Sequence, residues 1–244
     1  MKINKEVYVL KLTSSMGGSE EFIYPVALKD KDSLILIDTG FPGLFESIHN
    51  LFKEENLDIS KLSKIVLTHQ DIDHIGNAKL LKRESEGVIE ILCHEDEADY
   101  IEGKERPLKL KEFEKKLKFM PEGAEKIYRG MERGFEMCKV KVDETLKDGE
   151  VIPFIGGVTI IHTPGHTLGH ICLYLNKHKI LIAGDTLVIK DGKIQFTDDS
   201  YNFNSDENKR SVEKLLNYDI DKIVCYHAGV FEGNIKSELK KLLS

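Results

Sequence analysis

Several features that mark large protein classes are missing from this sequence. No uninterrupted apolar run approaches the ~18 residues that a membrane-spanning helix requires. The opening stretch MKINKEVYVLKLTSS has no apolar core followed by a small-residue cleavage site, so secretion is not expected. Net positive charge is absent as well. Thirty-five Lys and Arg face 42 Asp and Glu, leaving −7, and nothing offsets phosphate repulsion across the surface. Neither a nucleic-acid partner nor a membrane partner is expected. The four cysteines, Cys93, Cys138, Cys172 and Cys225, form no CxxC pair, which excludes a zinc ribbon or a disulfide scaffold. They read as reduced, mostly buried thiols, and the expected location is the cytoplasm. Neither Ser14-Ser15 nor Cys225 lies in a GxSxG nucleophile elbow.

What is present is a core-forming chain of 244 residues, 41% apolar, expected to form one domain over 1–244. Short runs rich in Ile, Val and Leu predict strands at Val7–Leu12, Phe22–Leu28, Ser33–Ile37, Lys64–Leu67, Ile89–Cys93, Val151–Phe154, Val158–His162, Ile171–Leu175, Lys179–Ala183 and Ile223–Cys225. Helices are expected at Leu44–Glu55, Asn77–Glu86, Asp206–Asn217 and Glu232–Leu243. Strand and helix alternate in the first half, and a run of strands follows from Val151 to Ile189. Two mixed sheets with helices outside fit that order better than a doubly wound parallel sheet. One compositional break stands out, from Lys104 to Met137, where ten Lys and Arg face seven Glu. Leu110, Phe113 and Leu117, then Ile127, Met131 and Phe135, recur at helical spacing on either side of Pro121-Glu122-Gly123. The pattern predicts a helical hairpin inserted at about 104–137, either a lid or a packed satellite.

The chemistry concentrates in four segments. Thr68-His69-Gln70-Asp71-Ile72-Asp73-His74-Ile75-Gly76 follows the strand Lys64–Leu67, and His162-Thr163-Pro164-Gly165-His166-Thr167-Leu168-Gly169-His170 closes another apolar strand. Ala183-Gly184-Asp185-Thr186 and Cys225-Tyr226-His227-Ala228-Gly229 close two more. Four strands thus deliver His or Asp at their C-terminal ends. Imidazole and carboxylate are the groups that bind zinc, iron or manganese, and a folded sheet can bring such ends together.

These segments resemble the metallo-β-lactamase-fold hydrolases of the glyoxalase II-like kind. THQDIDHIG is similar to that superfamily's THxHxDHxG loop, HTPGHTLGH to its TPGHTxGH segment, and the isolated GD and YH to its later ligands; LIDTG at Leu36–Gly40 resembles its early DTG strand end. The resemblance covers nearly the whole chain. It implies an α/β (α+β) four-layer αββα sandwich with a dinuclear metal site at one edge of the two sheets. His69, Asp71 and His166 would hold one divalent ion, Asp73, His74 and His227 the other, with Asp185 bridging. Zinc is the expected metal, and Fe(II) or Mn(II) would also suit. The implied reaction is attack of a metal-bridging hydroxide on a carbonyl, with Asp73 orienting that hydroxide or taking its proton.

Asp71 departs from the pattern, standing where the second histidine of HxHxDH would be. His69, Asp71 and His166 then form a two-histidine, one-carboxylate set. Counted with two divalent ions and one hydroxide, a third carboxylate brings the site to about neutral, so a weaker Lewis acid and a weaker pull on anions are expected. His162 and His170 read as supporting histidines, Asp38 and Thr39 as ligand-orienting or turn residues, and Tyr226 as a core tyrosine or an oxyanion donor. His49, His94 and His178 read as surface residues. The expected substrate is a small-molecule ester, lactone or thioester rather than a β-lactam, with Phe113, Phe119, Ile127, Met131 and Phe135 as an acyl wall if the hairpin covers the cleft. An iron-dependent oxygen or sulfur oxidoreductase and a non-catalytic, metal-stabilised binding protein are the alternatives. A homodimer through a sheet edge or the hairpin is compatible with the pattern.

Overall fold

Alternation along the strands sorts the apolar residues onto opposite faces, and each face finds its own cover. The computed structural model describes residues 1–14 and 20–244; Ser15 lies outside that range. Its first sheet runs in the order β1 (Val7–Val9), β4 (Val26–Lys29), β5 (Leu34–Ile37), β6 (Leu62–Val66), β7 (Glu90–His94), β8 (Glu144–Leu146). From β5 to β8 the pairing is parallel, and β1, β4 and β5 pair antiparallel. The second sheet is β16 (Gly229–Glu232), β15 (Lys222–Cys225), β12 (Ile180–Ile182), β11 (Ile171–Leu175), β10 (Val158–His162), β9 (Val151–Ile152). Two small ribbons complete the described strands, β2 (Leu12–Ser14) with β3 (Glu21–Ile23), and β13 (Leu187–Lys190) with β14 (Lys193–Phe196).

Within β5, Ile35 and Ile37 face the second sheet, whose Ile160, Leu173 and Ile182 meet them, while Leu34 and Leu36 face the helices outside. Those helices are α1 (Phe45–Glu54), α2 (Ile72–Ile75), α3 (Ala78–Glu84), α4 (Glu95–Ile101), α5 (Leu108–Leu117) and α6 (Ala124–Cys138). The outer face of the second sheet, with Ile161, Leu181 and Ile223, is covered by α7 (Ser205–Leu215) and α8 (Ile235–Leu243) through Val212, Leu215, Ile235 and Leu239. Three cores between four layers give the αββα sandwich. All four cysteines are buried and unbridged. Among the described residues, no helix is long and apolar enough to cross a membrane.

Two strand expectations divide. Val7–Leu12 and Phe22–Leu28 each split between the β1–β4 ladder and the β2–β3 ribbon. Pro25 sits at the second break, with no N–H to give a ladder, and its carbonyl accepts from Leu10 instead. Glu232, expected to open the last helix, ends β16. That helix begins after Asn234, whose side chain accepts from the Ser237 amide.

The helical insertion forms as α5 and α6 around Pro121-Glu122-Gly123. Tyr128, Phe135 and Cys138 of α6 enter the core outside the first sheet, and Phe113, Leu117 and Met131 pack at its margin. Burial of Tyr128 and Phe135 stabilises this docking by roughly 2 kcal/mol each. α6 runs close beside α2: a Cβ on Gly134 would stand 2.5 Å from Ile72 Cδ1, and Cys138 Sγ lies 3.6 Å from the Gly76 carbonyl. The hairpin is packed against the helical turn that carries Asp73 and His74.

Candidate metal centre

The strands that carry the site share a direction within each sheet. β5, β6 and β7 are parallel; β10, β12 and β15 also run one way, since β11 is antiparallel to β10 and β12. Their C-terminal ends open on one rim, and all seven predicted side chains meet there. Asp71 Oδ2 lies 3.2 Å from His69 Nε2 and 3.0 Å from His166 Nε2. Asp73 Oδ2 lies 3.2 Å from His227 Nε2 and 3.6 Å from His74 Nε2. Asp185 stands between the two sets: Oδ2 is 3.5 Å from His166 and 3.2 Å from His227, and Oδ1 is 3.4 Å from His74. Six of the seven are buried, and the His227 side chain remains 36% exposed.

Local structure sets each ring. Asp71, extended at φ −66° and ψ 146°, precedes the single turn α2, its carbonyl accepting from the His74 and Ile75 amides, and the turn sets Asp73 and His74 inward. Asp38 accepts from the Thr68 amide and hydroxyl, both at 2.8 Å, and from His74 Nδ1 at 2.8 Å. Holding Nδ1–H leaves His74 Nε2 to face the rim. The Thr68 hydroxyl is also 3.0 Å from His69 Nδ1, so Nε2 of that ring faces the rim too. Thr39 donates to the His74 carbonyl, and Asn77 ties α3 to Thr39 and Phe41. Tyr226 stacks on His74 at 3.8 Å and spends its hydroxyl on the Asp73 carbonyl and the Gly40 amide. It is a core tyrosine.

His170 is a buried support. Nε2 accepts from the Asp185 amide at 3.0 Å, and Nδ1 meets the hydroxyls of Thr163 and Thr186. Gly184, at φ +50°, lets the chain pass: a Cβ there would stand 2.6 Å from His170 Nε2. His162 and His94 stack at 4.0 Å. His94, expected at the surface, is buried and caps α4 by accepting from the Asp96 amide, while His162 Nε2 bonds the Leu168 carbonyl. His49 and His178 are half-buried and pair with Glu84 and Glu6.

Burial and charge oppose one another at the rim. Burial, with the neighbouring His74, lowers His69 to about 4, so that ring is neutral. Burial pushes the Asp73 carboxyl up, but His74 and His227 outweigh it and hold it at about 2. Burial lowers His227, and Asp185 with Asp73 overcomes that to raise it to about 10. Asp71 and Asp185 are held well below the usual carboxylate range, against burial, by the cations beside them. His69 Nε2, His74 Nε2, Asp71 Oδ1 and Asp185 Oδ1 are buried with no hydrogen-bond partner. Leaving four such atoms unpaired costs about 1–3 kcal/mol each, and a divalent ion is the partner that imidazole and carboxylate donors fit.

Two residues at this site carry no signal in the local pattern. Lys109, from the first turn of α5, forms an ion pair with Asp71 Oδ2. Glu97, on α4, is fully buried and accepts from the Gln70 amide at 2.8 Å, Gln70 Nε2 at 2.9 Å and the Gly169 amide at 2.7 Å. It thereby links the two loops that carry His69, Asp71 and His166. The rim opens into a cavity of about 660 Å³, within the range of small-molecule sites. Phe22, Phe41, Leu187, Phe196 and Tyr201 line it, with Lys109 as the hairpin's contribution. The apolar residues expected from the hairpin do not form this wall. Phe135 is buried in the core, Phe113 and Met131 pack against it, and Phe119 and Ile127 are exposed.

A two-sheet sandwich with His and Asp gathered on its rim defines a class of fold with a candidate metal-binding rim. The chain is a member of one such family: the model of the metallo-beta-lactamase superfamily matches residues 20–227, and the chain belongs to that superfamily. It is 30% identical over 159 residues to the probable metallo-hydrolase YflN of Bacillus subtilis, covering 64% of this chain and 56% of that one. It is 28% identical over 177 residues to a hydroxyacylglutathione hydrolase of Buchnera aphidicola, covering 72% and 51%. A shorter match, 41% over 64 residues, covers 25% of this chain and 22% of the acyl-coenzyme A thioesterase MBLAC2 of Gallus gallus. The longer matches span a little over half of those relatives. In fold, the chain is similar to the metallo-beta-lactamase family protein TTHA1429 of Thermus thermophilus, with a TM-score of 0.75 at 20% identity, over 99% of this chain and 79% of that one.

Proposed function

We propose that this chain is a two-metal hydrolase of a small ester, lactone or thioester. One observation carries the proposal: two His/Asp sets joined through Asp185 leave four buried donor atoms unpaired beside a cavity with an apolar wall. His69, Asp71 and His166 would hold one ion and Asp73, His74 and His227 the other, with Asp185 shared. Bound there, divalent ions supply Lewis acidity and make hydroxide available near neutral pH. The chain's own part is positional. Asp38 and Thr68 keep the imidazole protons on the far side of the ligating nitrogens. Asp73, in contact with His227, orients the attacking hydroxide. Phe22, Phe41, Leu187 and Phe196 receive the acyl portion and exclude bulk water from it. The relatives named for hydroxyacylglutathione hydrolysis and acyl-coenzyme A thioester cleavage support this substrate class.

The test is elemental analysis of protein purified without added metal, followed by ester, lactone and thioester panels, with an Asp185→Ala variant alongside. Two equivalents of zinc and turnover that is lost in Asp185→Ala together with the metal are the expected results. Iron with oxygen-dependent chemistry would replace the hydrolase by an oxidoreductase, and tight metal without turnover by a binding protein. Full metal and full activity in Asp185→Ala would remove Asp185 from the site.

A further inference from the structure

Asp71 is 1% exposed, and its carboxylate is the third in a centre that already holds Asp73 and Asp185. A buried carboxylate without a counter-charge costs several kcal/mol. The structure supplies that counter-charge from 38 residues further along the chain, where Lys109 Nζ pairs with Asp71 Oδ2. The pairing uses one carboxylate oxygen and leaves Asp71 Oδ1 without a hydrogen-bond partner. The ammonium thus meets the same Oδ2 that lies 3.2 Å from His69 Nε2 and 3.0 Å from His166 Nε2, so the lysine charge sits on the oxygen that faces the two imidazoles.

The placement of Lys109 is built in. The amide of the preceding residue, Leu108, donates to Gln70 Oε1 at 2.8 Å, and Gln70 lies between His69 and Asp71 in sequence. Gln70 is itself held by Glu97 through its amide and its side chain. The first turn of α5 is therefore tied to the loop that carries Asp71. The lysine side chain is 32% exposed and stands 5.6 Å from the Tyr201 ring centroid, over the cavity. Lys111, two residues on and so turned to the other side of α5, pairs with Glu105.

We propose that Asp71 and Lys109 act as one electrically neutral ligand unit, Asp71 offering the donor oxygen and Lys109 cancelling its charge, so that the inserted hairpin completes the metal centre. This rests on the reading above that these side chains hold metal. Lys109 is a positioning residue in this arrangement, acting through Asp71. The pair sums to zero, as a neutral imidazole would, so the extra carboxylate does not bring the centre to neutrality as the sequence alone suggests. Anionic acyl compounds then remain acceptable substrates. Restoring a histidine would then weaken the centre, because Asp71→His leaves an unpaired ammonium beside the ion.

The test is a double-substitution cycle in the full chain: wild type, Asp71→His, Lys109→Met and the double variant, with Lys109→Arg as the charge-preserving control. Zinc affinity is read by competition with a chromophoric chelator, stoichiometry by elemental analysis, and folding by circular dichroism. Asp71→His is expected to weaken zinc binding at one site at least tenfold. Adding Lys109→Met should recover most of that loss, and Lys109→Arg should bind zinc within about threefold of wild type. Equal zinc affinities for Asp71→His and the double variant would overturn the pairing while leaving the two-metal reading intact. A wild type that binds no divalent metal would overturn both. If Asp71→His does not fold, Asp71→Asn replaces it in the same cycle with the same expected recovery.

Discussion

Replacing Asp38 with asparagine isolates the step from backbone geometry to metal affinity. Asp38 has φ +60°, and asparagine tolerates that conformation, so backbone strain does not confound the change. The carboxylate accepts three hydrogen bonds: Oδ1 from the Thr68 amide, and Oδ2 from the Thr68 hydroxyl and His74 Nδ1. An asparagine that keeps its oxygen on the Thr68 amide presents an NH2 group to the other two. The Thr68 hydroxyl can rotate and accept. His74 cannot keep a proton on Nδ1 against that donor, and in its neutral form it places the proton on Nε2, the nitrogen the metal needs. Losing an outer hydrogen bond of this kind typically costs 10–100-fold in metal affinity, about 1.4–2.7 kcal/mol. The metal-free protein should also lose about 2 kcal/mol from the missing charge-assisted bond. Chelator competition reads the first quantity and urea denaturation of the metal-free protein the second. Zinc bound within twofold of wild type at unchanged stoichiometry would refute the reasoning.

Three further expectations follow from the same geometry. Gly184→Ala forces a side chain into the left-handed region and within 2.6 Å of His170 Nε2. It should cost about 2 kcal/mol and displace Asp185, so a variant with wild-type stability and metal content would contradict the close approach. Burial raises Glu97 from 4.5 to about 7, against the hydrogen bonds it accepts from Gln70 and Gly169. Its stabilising contribution is therefore full below 4.5 and lost as pH rises through 7. In metal-free Glu97→Gln, the stability difference between pH 5 and pH 8 should shrink by up to about 3 kcal/mol, and an unchanged difference would clear Glu97 of that role. Removing divalent metal with a chelator should cost about 4 kcal/mol relative to protein held at a thousandfold excess of free ion over Kd, lowering Tm by roughly 10 °C. A Tm that does not respond would mean the unpaired donors bind nothing.

What was legible in the sequence is what short-range pattern encodes. β10 and β11 fall where Val158–His162 and Ile171–Leu175 were expected, because each is a compact apolar run whose alternation records which face is buried. The hairpin breaks at Pro121-Glu122-Gly123 because those residues interrupt a helical period. The His and Asp residues were visible as strand-end segments, since a turn leaving a strand announces itself in a few consecutive residues. The splits at Val9 and Tyr24-Pro25 were less visible. An apolar run does not say which of two ladders each half will join.

Tertiary structure decided the remainder. Lys109 is one of ten basic residues between Lys104 and Met137, and in sequence each reads as a solvated surface charge. Only the docking of α5 on the Gln70 loop singles it out. Glu97 likewise stands among the acidic residues of α4 until the fold closes the two histidine-bearing loops over it. The apolar side of the cavity comes from Phe22, Phe41, Leu187 and Phe196 rather than from the hairpin, whose own aromatic residues are drawn into the core or left outside. Periodicity records the face a residue turns toward its immediate neighbours. The partner waiting on that face comes from a distant part of the chain, and the sequence determines that meeting only through the whole fold.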